Sequence, residues 1–132
     1  MLNDEFFSLY NGPICSAVLN GIDGVLGDKD WDAYIARNGN LVVPIRAVSR
    51  DDLDEVSAAE MDILADVWAE FGQMSASQIR NYTHLHCPEY VEVPEGRRNP
   101  IPYRDVFKAV GAPDGGARES ELNAFRRIDG IF

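Results

Sequence analysis

The sequence predicts an α+β fold that is mainly α-helical, with four or five helices and a small antiparallel β element: a hairpin at residues 34–43, with residues 5–10 as a candidate third strand. Three features lead there. Two helix starts of one design follow each other, Ser57 with Glu60 and Ser75 with Gln78. Each fits the capping box, in which a hydroxyl and a carboxylate or amide reciprocally satisfy orphan helix N–H groups. Apolar residues recur at helical spacing, Met61, Leu64, Ala65, Trp68 and Phe71 forming the longest stripe. Asn38-Gly39, between two β-prone runs, is the strongest short-range hairpin signal in the chain.

Taken in order, residues 5–10 (EFFSLY) form an apolar and aromatic run that stops at Asn11-Gly12-Pro13, and Pro13 suits the first turn of a helix. Ile14, Val18, Leu19 and Ile22 give that helix about two turns before Gly21, Gly24 and Gly27 erode its end. The hairpin pairs 34–37 with 41–43, and Pro44, which lacks an amide hydrogen, ends the second strand or places it on an edge. The stripe from Met61 to Phe71 reads as the core face of a helix that Gly72 stops, and a second helix runs from Ser75 towards His84. Residues 88–101 hold three prolines and no helical pattern, hence a long exposed loop with Arg97 and Arg98 at its tip. Tyr103, Val106, Phe107 and Val110 share one face of a helix stopped by Gly111. After a turn at 113–116, a last short helix covers about 119–127, with Leu122 and Phe125 inward and Arg126 and Arg127 at its C-terminal end.

A chain of 132 residues suits one domain, and 45% hydrophobic with 26% charged residues is ordinary for a folded globular protein. No run approaches the roughly 18 apolar residues of a membrane span, and the first residues are acidic where a signal peptide is basic, so a cytosolic protein is expected. In that compartment Cys15 and Cys87 stay reduced and no disulfide forms. The net charge of −10 lies wholly in residues 1–70, which hold 14 acids and 4 bases, while residues 71–132 hold 8 of each. Such a surface repels phosphates and attracts basic proteins, which argues against direct nucleic-acid binding.

Residues 51–70 contain eight acids and no base. Like charges four apart on a helix cost a few tenths of a kcal/mol each, so stability alone does not account for them. Asp51, Asp52, Asp54 and Glu55 crowd the approach to the central helix, and Asp62, Asp66 and Glu70 share one of its faces; these seven are the candidate partner-binding residues. Catalytic or metal-binding carboxylates need burial or a facing partner, whereas these line an open face. His84, His86 and Cys87 are potential zinc ligands, but one cluster stands without the second pair a structural zinc site draws on. There is no Gly-x-Ser-x-Gly, no phosphate-binding glycine loop and no HExxH. No catalytic residue, metal or cofactor is predicted, and the chain is not expected to be an enzyme.

The ordered set of YxGPI (residues 10–14), the hairpin, DLDEVS (52–57), the long helix, MSASQIRNYTH (74–84), CPEY and IPYRDVFKAVG (101–111) resembles the Panacea domain, the SocA-like antitoxin family found also in phage-associated proteins. The similarity covers about residues 6–111. It implies a mostly helical fold with a small β element, and an antitoxin that neutralises a toxin protein by direct contact; one group in the family delivers a toxin to a protease. The resemblance carries no catalytic residues. Family members have an apolar helix or two before the YGPV segment, whereas nine residues precede Tyr10 here. The expectation is a single Panacea-like domain over 1–132, N-terminally shortened, with an apolar groove for a partner or a homodimer to cover.

The expected function is therefore that of a non-enzymatic, antitoxin-like module in a bacterial cell, masking a toxin or effector with a basic surface. The alternative is a phage-encoded inhibitor of a bacterial defence system, of anti-CRISPR type, whose acidic surface blocks a basic nucleic-acid-binding site. A third reading, a metal-dependent hydrolase on His84, His86 and Cys87, requires bound zinc or manganese.

Overall fold

A computed structural model describes residues 4–25, 29–53 and 56–129. In chain order the elements are β1 (Phe6–Leu9), β2 (Gly12–Cys15), α1 (Ser16–Ile22), α2 (Lys29–Tyr34), β3 (Ile35–Asn38), β4 (Leu41–Pro44), a 3-10 turn (Arg50–Asp52), α3 (Ala58–Phe71), α4 (Ala76–His86), β5 (Asn99–Ile101), α5 (Tyr103–Ala109) and α6 (Gly115–Asp129). The fold is α+β and mainly helical, as expected. Two compact units are distinguished, one of Met1–Ala17 with Arg80–Phe132, the other of Val18–Ile79.

In the first unit β1 lies at the centre of a three-stranded antiparallel sheet of order β2-β1-β5. Residues 12–15 do not begin a helix, as Pro13 suggested, but return along β1 after a two-residue turn; the helix starts at Ser16. Gly12 permits the return. Its φ is 132°, and a Cβ there would sit 3.0 Å from Thr83 Oγ1. With Leu9 and Gly12 closing the turn, Pro13 opposes Ser8 at a position whose N–H would point away from β1. Pro13 therefore forfeits no ladder bond. Pro100 takes the equivalent place on the other edge, opposite Phe7, so the long loop expected over 88–101 ends in a strand.

This unit is held by polar anchors more than by apolar bulk. Asp4 is 3% exposed, and its Oδ1 accepts the Glu5 N–H at 2.6 Å and the Ala17 N–H at 2.7 Å, so it caps α1 from thirteen residues away. Its carbonyl oxygen accepts the Tyr103 hydroxyl and the Arg126 guanidinium, drawing α5 and α6 to the start of β1. Ser8, fully buried, accepts the Val91 N–H at 3.1 Å, and the Tyr90 hydroxyl donates to the Leu9 carbonyl at 3.0 Å. Ile101, 5% exposed, is the one buried large apolar side chain among the described residues. Phe6 meets the edge of Tyr103 with centroids 5.3 Å apart. α6 starts at Gly115, four residues before the predicted start, because that glycine lies against α5: a Cβ there would be 3.1 Å from the Arg104 carbonyl oxygen.

In the second unit the predicted hairpin forms, β3 and β4 pairing from Asn38↔Leu41 to Ile35↔Pro44, with Gly39 at φ 61° in the turn. Pro44 again falls where the missing N–H points outward. α2, which no sequence signal announced, places Trp31 over Gly21, where a Cβ would come within 2.3 Å of the indole. Both helix starts are built as predicted. Ser57 accepts the Glu60 N–H at 3.3 Å while its own N–H donates to Glu60 Oε2 at 2.8 Å, and Ser75 and Gln78 repeat the exchange at 3.3 and 2.8 Å.

Asp4→Ala removes the shared acceptor of two part-buried N–H groups and should lower stability by about 1–3 kcal/mol in chemical denaturation. Asp4→Asn, which keeps an acceptor, should recover part of that loss; equal effects from the two variants would remove the capping role.

Candidate functional site

The predicted contact residues divide by what the backbone asks of them. Ahead of α3, Ser49 donates to Asp52 Oδ2 through its N–H at 2.8 Å and its hydroxyl at 2.9 Å. Arg46 stands 3.4 Å from the other oxygen. The backbone and hydroxyl hydrogen bonds from Ser49 hold the Asp52 carboxyl below the usual carboxylate range, with Arg46 adding to the effect. Asp52 is thus occupied in ordering its own turn, while Asp51 is exposed. Asp54 and Glu55 lie outside the described residues, as does Gly27.

Asp62, Asp66 and Glu70 are exposed along one face of α3, and none is paired with a described cation. Two of the unit's cations have partners away from this row: Arg37 pairs with Asp23, and Arg46 with Asp52 and, at 4.2 Å, the Tyr34 ring. Residues 18–79 hold 12 acids and 4 bases, so this unit carries most of the chain's charge excess.

The apolar stripe of α3 is where the structure overturns the sequence reading. Met61 and Phe71 are half-buried, but Leu64 is 57% exposed, Trp68 is 70% exposed and Ala65 is exposed too. Ile63 and Val67, left out of the stripe, are 61% and 50% exposed. α3 has no buried residue, so its stripe is not covered by another described element, and its composition widens the open apolar area: ten of its fourteen residues are apolar and the other four are acids. That composition was a readable signal for Ile63 and Val67, since a helix with one core face places neutral polar residues on its back. At the C-terminal end the Trp68 indole lies over Gly72, where a Cβ would be 2.8 Å from the ring.

The remaining candidates are held in structural contacts. His84 stacks on Tyr90 and His86 on Tyr82, each with centroids 4.5 Å apart, and the Cys87 N–H donates to the Thr83 carbonyl at 3.1 Å. Burial first, and then the charge of Glu89, pushes the Cys87 thiol up. Among the described residues no group of three His, Cys, Asp or Glu side chains comes together as a metal site would need. Arg98 lies over the Phe7 ring at 4.9 Å and Arg80 over Tyr10 at 5.4 Å.

The antitoxin SocA-like, Panacea domain family matches this chain over residues 1–89. The chain belongs to that family. The match takes in the acidic approach, α3 and α4, and ends before the IPYRDVFKAVG segment. No curated protein and no solved structure matches the chain. Membership in the Panacea family supports an antitoxin-like role, with a protein as the partner. No helix among the described residues is long and apolar enough to cross a membrane.

Ser57→Ala should cost α3 about 0.5–2 kcal/mol, read as lost helical circular dichroism and a lower unfolding midpoint. The Ser57 hydroxyl and N–H hold Glu60 below the usual carboxylate range. The sign follows: the cap's contribution is complete above the unfolded-state pKa and disappears as pH falls through the lowered folded value. Wild-type protein should lose helicity in acid, and Ser57→Ala should flatten that dependence.

Proposed function

We propose that this Panacea-family chain acts without catalysis, as an antitoxin-like protein that neutralises a toxin or effector by direct contact along α3. The observation that carries the reading is the family match, which contains the whole of α3 and its acidic approach. The surface of α3 supplies the physical support. Asp51, Asp62, Asp66 and Glu70 present uncompensated negative charge, and exposed Ile63, Leu64, Val67 and Trp68 present apolar area beside it. Charge of this kind steers a basic partner and raises the association rate, while the apolar side chains, the tryptophan above all, supply affinity once water is excluded. Asp52 contributes less directly, by ordering the turn ahead of the helix.

The test begins with the tagged chain in a bacterial host. A co-purifying protein should arrest growth when expressed alone, and co-expression of this chain should restore it; a captured protein with no effect on growth, or an arrest that persists, overturns the proposal. Capture of a nucleic-acid-handling defence complex would point to the inhibitor alternative instead.

With the partner in hand, reversing Asp62, Asp66 and Glu70 together to Lys should slow association by about 10-fold or more at low ionic strength and flatten its salt dependence. An unchanged rate and slope in stopped-flow mixing would remove the acidic row from the mechanism.

A further inference from the structure

We infer that the segment of the partner seated on α3 is itself a basic amphipathic α-helix, packed along Ile63, Leu64, Val67 and Trp68 with its Lys or Arg side chains against Asp62, Asp66 and Glu70. The inference rests on the contact role proposed above and names the shape and charge of what is contacted. It starts from spacing. The three acids fall at steps of four, so they form one row nearly parallel to the helix axis; the pair Ile63–Val67 forms the row beside it, and Leu64–Trp68 the next row round, so that a helix centred on Ile63–Val67 has the acids on one flank and Leu64 and Trp68 on the other. An apolar seam bordered by a row of one charge is the arrangement by which paired helices select a partner of opposite charge. Fourteen residues of α3 make a ridge about 21 Å long, which matches about four turns of a second helix.

An extended segment is a poorer occupant. Strand addition gains its affinity from main-chain hydrogen bonds, and the flank of α3 has none to offer: its interior N–H and C=O groups bond within the helix, and the Ser57–Glu60 box takes up two N–H groups at its start. A helix brings its own backbone already satisfied and asks of the surface only side-chain packing and charge. A second copy of this chain is disfavoured by the same row of acids and by its net charge of −10.

The probe is a designed peptide of about 18 residues, long enough to form a helix on binding, with Leu at helical a, d and e positions and Lys elsewhere. Two controls share its composition and charge, one scrambled and one alternating Leu and Lys as a strand would. Trp68, exposed in the free chain, reports directly: its emission should shift to the blue when covered, and Trp68→Phe subtracts the signal of Trp31. The helical peptide should bind about 10-fold or more tightly than either control. That preference should fall by a similar factor in Leu64→Ser/Val67→Ser and in the triple Lys variant, each verified as folded by circular dichroism. Equal binding of the three peptides, or an undiminished preference in both variants, overturns the inference. So does a dimer in sedimentation with the Trp68 emission already blue-shifted.

The two proposals fail separately. If Leu64→Ser/Val67→Ser loses the peptide yet still relieves growth arrest, the docking inference falls and the antitoxin role stands without the α3 apolar side chains as its contact surface. If the wild-type chain prefers the helical peptide but relieves no arrest, the antitoxin reading falls and the docking inference stands.

Discussion

One buried residue, Asp4, carries the greatest structural burden in the first unit. Its side chain takes two backbone N–H groups and its carbonyl takes a phenol and a guanidinium, so the start of β1, the first turn of α1, α5 and α6 all meet at one amino acid. Few apolar side chains are fully buried around it. Directional polar contacts stand in for interior volume, and each costs more to lose than a surface hydrogen bond because water reaches these part-buried groups less freely. Burial dominates the rise of the Tyr103 hydroxyl, consistent with its donating to Asp4 rather than ionising. Arg126, over the Tyr103 ring at 5.2 Å, opposes that rise but does not cancel it.

The second unit solves a different problem. Its longest helix combines a boxed N-terminus with a body that hides little of its hydrophobic surface. A helix like this one gains stability from its N-terminal cap and leaves its flank available, whereas packing along the flank usually holds a helix. Family membership gives this a biological sense. An antitoxin-like protein has to recognise another protein, and recognition needs apolar area that the fold itself does not consume.

Local chemistry was legible in the sequence. Both capping boxes, the Asn38-Gly39 hairpin, the strand at 6–9 and the helix over 103–109 depend on residues within a few positions of one another, and such rules can be read from a string. What could not be read depends on distant partners. Residues 12–15 became a strand because β1 was there to receive them, and Asn99–Ile101 did so for the same reason. Asp4 looked like one more acid near the chain start; nothing local showed that Ala17, Tyr103 and Arg126 converge on it. The stripe on α3 failed in an instructive way. Periodicity correctly grouped Met61, Leu64, Trp68 and Phe71, but it reports which residues share a face and says nothing of whether anything covers that face. Of the seven acidic candidates, Asp52 proved to serve its own turn and three remain as an open row on α3.

The placement of the three strand prolines has a consequence for how the protein survives alone. Pro13, Pro44 and Pro100 each sit where a strand would offer an amide hydrogen to an arriving strand, and each withholds it. A chain that leaves an apolar helix flank open runs the risk that its copies will also zip together by their sheet edges into fibrils. Here that route is obstructed on both edges of the three-stranded sheet and on the β4 edge of the hairpin. The sheet edges therefore add little of their own to any tendency of this chain to associate with its copies.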